Sequence, residues 1–210
     1  MHIAFLLYDK MTCLDLTGPH EVLARLPGAT AHRVARAAGP IVTDIGMTLH
    51  ADKALTEMPA PDLLVVPGAS VVEAACDDET LAWVRGAHDS ATWTMSVCTG
   101  SLILGRAALL KGKRATTHWA AMEQLRALGA EPVSERVVRD GDILTTAGVS
   151  AGIDGALTLT AELMGPMVAQ ALQLGIEYDP APPFDAGSPA KAPPELVERV
   201  RAGMARDAAA

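Results

Sequence analysis

The chain has 210 residues, of which 50% are hydrophobic and only 3% are aromatic, and its formal net charge is −8. This size and composition predict one domain with an aliphatic core, and they exclude nucleic acid and anionic membranes as favoured partners, because no basic stripe is present. The chain has three cysteines, an odd number without a C-x-x-C pair. This pattern excludes a disulfide framework and a zinc site and favours a reducing, cytoplasmic location. No apolar run approaches membrane-spanning length.

Apolar runs and helical periodicity alternate along the chain. Extended segments are predicted at residues 3–8, 31–37, 41–43, 47–49, 63–66, 93–97, 114–117, 133–138 and 143–146. Helices are predicted at residues 20–26, 70–88 with a break near 77–78, 102–110, 119–128, 153–164, 167–176 and 195–205. This order predicts a flavodoxin-like three-layer α/β sandwich with a mostly parallel sheet.

The C-terminal part of the chain has a different character. Residues 178–194 are rich in proline and precede the charged amphipathic helix predicted at 195–205. This tail, residues 178–205, has no core of its own. We therefore expect one domain over residues 1–210, with the tail packed on that domain or on a dimer partner.

Asp15 follows the first predicted strand, between Leu14 and Leu16. One interpretation is that Asp15 caps the helix that begins near Pro19. The other is that Asp15 belongs to a functional site, because sites in open α/β sheets form at the carboxyl ends of the strands.

Pro67 and Gly68 end the buried strand at 63–66, and Ala69 follows. A glycine here allows a backbone N–H group to approach an anion or an oxyanion closely. The alternative is an ordinary turn without a role in binding.

Cys98 stands at the centre of a strand, sharp turn and helix. This layout is typical of a nucleophile elbow, with cysteine in the position of the serine and with the small residues Ser96 and Gly100 around the bend. The start of the following helix favours the thiolate, so we expect a lowered pKa for Cys98. The alternative is a small buried hydrophobic residue.

In a parallel sheet the segments around Asp15, Gly68 and Cys98 meet at one edge. A carboxyl group beside a thiolate has a raised pKa and can donate a proton near neutral pH. The residue after the cysteine is Thr99 and not a histidine. Among the histidines, His118 is the best placed to lie near this cleft. The alternative is that His118 lies at the surface or at the edge of the core. No nucleotide-binding motif is present.

Several segments together resemble the DJ/PfpI superfamily and, more closely, its isocyanide hydratase branch. These segments are residues 14–19, 96–101, 113–119, 136–141, 151–154 and the proline-rich run 177–189. The resemblance extends from residue 3 to about residue 204.

The resemblance implies a homodimer in which Cys98 is the nucleophile, Asp15 the acid–base partner and Thr99 a neighbouring catalytic residue. It implies no metal and no organic cofactor. Gly68, Ala69 and His118 are the expected substrate contacts. Two departures from the superfamily matter: Thr99 replaces the histidine common in peptidase-like members, and Ala69 replaces a second glycine. The first argues against peptidase activity, and the second bears on substrate size.

The implied reaction converts an isocyanide, R–N≡C, and water into an N-formamide through a thioimidate on Cys98. One alternative is a glyoxalase-type or amide hydrolase that uses the same cysteine. A second is a non-catalytic redox-sensing or ligand-binding module. We expect no DNA-binding module, since the chain ends soon after the tail helix.

Overall fold

The structure is a computed structural model that describes residues 1–58 and 60–207. Short strands build its central sheet and two small accessory sheets. The strands are β1 (His2–Leu6), β2 (Thr30–Ala35), β3 (Gly39–Val42), β4 (Thr48–Ala51), β5 (Lys53–Ala54), β6 (Leu63–Val66), β7 (Trp93–Val97), β8 (Arg114–Ala115), β9 (Glu131–Pro132), β10 (Val137–Asp140) and β11 (Ile143–Thr146).

The central sheet has seven strands in the order β10-β11-β7-β6-β1-β2-β5. Every neighbouring pair is parallel except β10 and β11. The order β2-β1-β6-β7-β11 within it is the flavodoxin-like order of doubly wound sheets. The predicted, mostly parallel sheet is therefore confirmed.

Helices cover both faces of the central sheet. They are α1 (Cys13–Leu23), α2 (Asp78–Ser90), α3 (Gly100–Arg106), α4 (Met122–Ala127), α5 (Ala151–Met164), α6 (Pro166–Gly175) and α7 (Pro194–Asp207). Helix α5 packs against α1 and α6, whereas α3 packs against α2 and α4. The strands between these layers are buried on both sides, which explains why β6 and β7 contain no exposed residue.

Three predicted helices have different boundaries in the structure. Helix α1 begins at Cys13, seven residues before the predicted start, and contains Pro19 in its interior. Helix α3 ends at Arg106 and not at residue 110, because Ala108 has a left-handed backbone with φ 63°. The segment predicted as one helix at 119–128 is a 3₁₀ turn followed by α4.

Two pairs of strands are antiparallel. Strands β3 and β4 form a hairpin around Gly46, and β10 and β11 form another around Gly141. Both glycines have positive φ values, 82° and 64°, which a tight turn requires and which glycine adopts without strain.

The contacts between the tail and the rest of the chain include one hydrogen bond and one contact between a guanidinium and a ring. The Tyr178 hydroxyl donates a hydrogen bond of 2.7 Å to Asp154 in α5. The guanidinium of Arg201 in α7 lies 5.4 Å from the centre of the Trp119 ring. Much of the tail is nevertheless exposed, and Phe184 is 80% exposed. None of the described helices is long and apolar enough to cross a bilayer.

Candidate active site

Four adjacent parallel strands, β1, β6, β7 and β11, direct their carboxyl ends to one edge of the sheet. The segments that follow them carry Asp15, Gly68, Cys98 and Val149 in turn. The sequence predicted the first three of these to meet. It did not reveal that the segment after β11 joins them.

Cys98 occupies a strained turn between β7 and α3. Its φ is 56°, a left-handed value that is unusual for a residue with a side chain. Its N–H donates to the carbonyl oxygens of Thr146 and Ala147, at 3.1 and 3.2 Å. Its own carbonyl accepts from the hydroxyls of Ser101 and Thr117, at 3.2 and 3.0 Å. The predicted nucleophile elbow is confirmed.

Asp15 lies in the first turn of α1, where Thr12 occupies the N-cap position. Its carboxyl group is fully buried, and Oδ2 accepts a hydrogen bond of 2.9 Å from the N–H of Gly68. Asp15 therefore does not cap α1; its carboxyl bonds to the segment after β6. Oδ1 has no hydrogen-bond partner within the described residues.

Burial raises the pKa of Asp15 to about 7, against the opposing effects of the Gly68 N–H and of the Cys98 thiol. The charge of Asp44 adds a smaller upward shift. A carboxyl group with this pKa exists in both protonation states near neutral pH. It can therefore donate or accept a proton during a reaction.

The Cys98 thiol is only 5% exposed, and burial together with the charge of Asp15 raises its pKa to about 12. The N–H groups of Val149 and Thr99 favour the thiolate, but they do not outweigh the loss of solvation. The expectation of a lowered pKa for Cys98 is therefore wrong. Helix α3 has only seven residues, and its N-terminus offsets little of the loss of solvation that burial causes. Between about pH 7 and 12 the Cys98–Asp15 pair holds one proton.

Thr99 binds the segment after β6 and not Asp15. Its hydroxyl donates to the carbonyl of Ala69 at 2.6 Å and accepts from the Ala69 N–H at 2.9 Å. Gly68 donates its N–H to Asp15, so both backbone donors of this turn are already engaged. These two N–H groups hold the side chains of Asp15 and Thr99, and contact of Gly68 and Ala69 with substrate stays a prediction.

Two further residues hold the same turn, and sequence reasoning did not single them out. The buried hydroxyl of Tyr8 donates to the carbonyl of Pro67 at 3.0 Å. The N–H of Thr12 donates to the carbonyl of Gly68 at 2.9 Å. Tyr8 at the end of an otherwise apolar run was the signal in the sequence, because a buried hydroxyl requires a hydrogen-bond partner.

His118 lies next to the site but makes no hydrogen bond to Cys98 or Asp15 within the described part of the chain. Its Nδ1 accepts from the N–H of Ala120 at 3.3 Å, and burial lowers its pKa. The ring is therefore neutral at pH 7 and carries its proton on Nε2. It packs against Gly148, where an added Cβ would lie 2.5 Å from the ring atom Cδ2.

A cavity of about 370 Å³ lies near the site, lined by neighbours of Cys98 and Asp15 but not by these two residues themselves. Its walls include Thr117 and Val149, which both contact Cys98, and Leu14, which precedes Asp15. Within residues 1–58 and 60–207, no three histidine, cysteine or acidic side chains group closely enough to hold a metal ion.

Comparisons with known proteins agree with this geometry. The DJ-1/PfpI family model matches residues 1–162. Isonitrile hydratase from Pseudomonas putida is 48% identical over 202 residues, which are 96% of this chain and 89% of that protein. The HTH-type transcriptional regulator CdhR from Pseudomonas aeruginosa is 31% identical over 140 residues, which are 66% of this chain and 42% of the regulator.

A solved structure shows the same arrangement over nearly the whole chain. The crystal structure of a ThiJ/PfpI family protein from Pseudomonas syringae has a TM-score of 0.91 and 40% sequence identity. The match covers 99% of this chain and 89% of that one. On the evidence of its sheet order, its cysteine elbow and these similarities, the chain belongs to the DJ-1/PfpI family.

Proposed function

We propose that this protein is an isocyanide hydratase, which converts R–N≡C and water into an N-formamide. The observation that carries the proposal is the buried Cys98–Asp15 pair, which offers a nucleophile and one mobile proton to the same atom. Similarity to isonitrile hydratase along both chains supports it.

The first step forms a carbon–sulfur bond. Asp15, as a carboxylate, removes the thiol proton of Cys98 while the sulfur attacks the terminal carbon of the isocyanide. That carbon keeps its former lone pair and takes the proton back from Asp15. The product is a thioimidate, R–N=CH–S–Cys98, and Asp15 is again a carboxylate.

The second step consumes water. Asp15 removes a proton from a water molecule that attacks the thioimidate carbon and passes this proton to the imine nitrogen, so that Asp15 is again a carboxylate. The resulting adduct, R–NH–CH(OH)–S–Cys98, then breaks its carbon–sulfur bond. The hydroxyl proton returns to sulfur through Asp15, and the formamide R–NH–CHO leaves. Atoms and charges balance over the cycle.

The occupied backbone donors favour hydration over amide hydrolysis. Amide hydrolysis forms a tetrahedral oxyanion, which needs free donors that point at it. The N–H groups of Gly68 and Ala69 bind Asp15 and Thr99 instead. Addition to an isocyanide forms no oxyanion in its first step, so it does not need these donors.

The state of the thiol argues against a redox sensor. Sensor cysteines are exposed and have a low pKa, because the thiolate is the form that oxidises. Cys98 is buried, and its pKa is raised to about 12.

We also propose that the protein is a cytoplasmic homodimer that acts without nucleic acid. The β3–β4 hairpin supports the dimer, because it exposes 44% of Val42, 73% of Ile45 and 51% of Met47. Three free cysteines fit a reducing compartment, and the net charge of −8 disfavours nucleic acid.

Turnover with purified protein tests the reaction. Cyclohexyl isocyanide should give its formamide, and mass spectrometry should detect an adduct on Cys98 equal in mass to the substrate. Cys98→Ala should abolish both, whereas Cys76→Ala, which changes a free thiol outside the site, should preserve them. Turnover of glyoxal-type aldehydes without any formamide would support the alternative hypothesis, a glyoxalase-type or amide hydrolase that uses the same cysteine. Inertness toward both would support the sensor.

A further inference from the structure

One arginine binds both ends of the turn after β11, the turn that carries Val149. The carbonyl of Arg136 accepts a hydrogen bond of 3.0 Å from the N–H of Ala147. The guanidinium of Arg136 donates to the Ser150 hydroxyl at 3.1 Å. Val149 lies between these two contacts, and its N–H faces the thiol of Cys98. A single residue therefore controls where this donor lies relative to the sulfur.

The backbone of Val149 is strained and needs such support. Its φ is 36°, a left-handed value that is unfavourable for a β-branched residue. A conformation of this kind persists only where the surrounding contacts impose it. If one end of the turn loses its contact, we expect the backbone to relax and the Val149 N–H to move away from the sulfur.

The guanidinium of Arg136 is itself fixed by an ion pair with Asp154, in the first turn of α5. The other carboxylate oxygen of Asp154 accepts a hydrogen bond of 2.7 Å from the Tyr178 hydroxyl. The Arg136 side chain is 49% exposed, and an ion pair at this exposure stabilises a fold little. The pair therefore contributes mainly by fixing the position of the guanidinium.

Arg139 on β10 makes a comparable ion pair that does not involve the turn. It binds Glu162 in α5 at 2.7 Å, and its side chain is also 49% exposed. Its other contacts in the described part of the chain are with the carbonyl of Gly141 and the ring of Trp93. Both arginines therefore join the same part of the sheet to the same helix, but Arg136 alone of the two bonds to the turn.

We propose that Arg136 is a positioning residue for the reaction, which holds the Val149 N–H against the sulfur of Cys98. There the N–H stabilises the negative charge that the sulfur gains as Asp15 removes its proton. This inference rests on the proposed function. It assigns Arg136 a role in catalysis that acts through the turn and not by contact with the reacting atoms.

Turnover and amide hydrogen exchange together test the inference. Arg136→Met removes the guanidinium and keeps an apolar side chain. We expect kcat to fall about tenfold or more, the loss typical of a weakened hydrogen bond to a charged atom. KM should change less than about threefold, because the contact acts mainly in the transition state. By NMR, the Val149 amide should exchange with deuterium about tenfold faster or more, since the turn opens more often.

Arg139→Met is the matched control. It should lower the melting temperature at least as much as Arg136→Met does, because each variant loses one exposed ion pair, but it should leave kcat and the exchange of Val149 unchanged. Ser150→Ala removes the contact at one end of the turn and keeps the ion pair, so it should give smaller changes in the same direction. Arg136→Lys keeps the charge without the planar fork, so its kcat should lie between those of the wild type and Arg136→Met.

Hydrogen exchange separates this inference from the reaction, because it needs no substrate. If Arg136→Met speeds the exchange of Val149 but the wild type converts no isocyanide, the reaction is refuted and the support of the turn by Arg136 stands. If the wild type converts isocyanides and Arg136→Met lowers kcat no more than Arg139→Met does, the inference is overturned and the reaction stands. A fall in kcat without faster exchange would also overturn the inference, since the effect would not pass through Val149.

Discussion

At the scale of residues, the proposed chemistry depends on one pair of side chains, Cys98 and Asp15. Asp15 is buried without a cation to balance it, and one of its oxygens has no hydrogen-bond partner in the described part of the chain. Both its pKa and that of Cys98 are therefore raised. The pair therefore holds one proton over a higher range of pH than an isolated aspartate and an isolated cysteine would. In the proposed mechanism, this arrangement lowers the stability of the fold and supplies the proton that moves from sulfur to the substrate carbon.

Asp15→Asn should remove turnover and stabilise the fold in a pH-dependent way. We expect a loss of about 10² to 10⁴ in kcat, the usual contribution of a general acid–base group. The raised folded-state pKa means that the native protein binds this proton more tightly than the unfolded chain. Wild-type stability should therefore fall as the pH rises from 3.8, the ordinary pKa of an aspartate, to about 7.

The amide at position 15 does not titrate, so the variant escapes this loss. Above pH 7 the difference in unfolding free energy should approach about 4 kcal/mol, while at pH ~4 it should be small. Chemical denaturation at both pH values measures it. A difference that does not grow with pH would show that Asp15 has an ordinary pKa.

The pH dependence of kcat/KM should follow the same carboxyl group. The reaction needs Asp15 as a carboxylate to accept the thiol proton, so kcat/KM should rise with pH and level off above about 7. The rate of iodoacetamide labelling of Cys98 should also increase in Asp15→Asn, since the charge that raises the thiol pKa is gone. A kcat/KM that falls as the pH rises through 7 would contradict the assignment.

At the scale of elements, the elbow between β7 and α3 depends on close backbone packing. Gly100 begins α3 directly beneath the end of β6, and a Cβ there would lie within 3 Å of the Pro67 carbonyl oxygen and closer still to that of Val66. Both neighbours are backbone atoms in a buried sheet, so they cannot move away. The elbow therefore requires glycine at this position for reasons of space.

Gly100→Ala should destabilise the protein by about 3 kcal/mol or more, because it forces atoms into a packed backbone. Gly86→Ala is the matched control: Gly86 is exposed on α2 and a Cβ there meets nothing within 4 Å. It should stabilise the protein by about 0.5–1 kcal/mol, since alanine favours helix. Urea denaturation compares the two, and equal effects would contradict the packing argument.

The contribution of the tail to stability and assembly can be measured by removing the tail. Truncation after Glu177 removes the Tyr178–Asp154 hydrogen bond, the Arg201–Trp119 contact and one wall of the cavity. We expect a lower melting temperature or an altered mass by light scattering. Tyr178→Phe removes only the hydrogen bond and should cost about 1 kcal/mol. If truncation changes neither the melting temperature nor the mass, the tail contributes neither to the stability of the domain nor to its assembly.

At the scale of the whole molecule, exposed apolar side chains mark the surface that we assign to the dimer. Val42, Ile45 and Met47 lie on the hairpin next to the start of α1, to which it is joined by a 2.8 Å hydrogen bond between Thr12 and Asp44. Because α1 also carries Asp15, a dimer contact here would support the active site of each copy from outside.

Light scattering should give twice the chain mass for the wild type and the single mass for Ile45→Glu, because a buried unpaired charge opposes association. Phe184→Glu is the control, since Phe184 is 80% exposed but lies on the tail. A wild-type monomer at micromolar concentration would contradict the dimer, and equal effects of Ile45→Glu and Phe184→Glu would move the interface elsewhere.

The sequence by itself determined the class of fold and predicted which segments form the candidate site. Apolar runs that alternate with helices require a parallel sheet, and that topology brings the segments around Asp15, Gly68 and Cys98 to one edge. The sequence also predicted the elbow, since a strand, Cys98 and Gly100 follow one another closely along the chain.

Only the tertiary structure decided how these groups behave. Burial of Cys98 beside Asp15 reversed the expected direction of the thiol pKa, because desolvation depends on neighbours that are distant in sequence. Hydrogen bonds between segments tens of residues apart bring Val149 to Cys98, Gly68 to Asp15 and Ala69 to Thr99. Local periodicity carries no information about such contacts, whereas the packed chain brings them together.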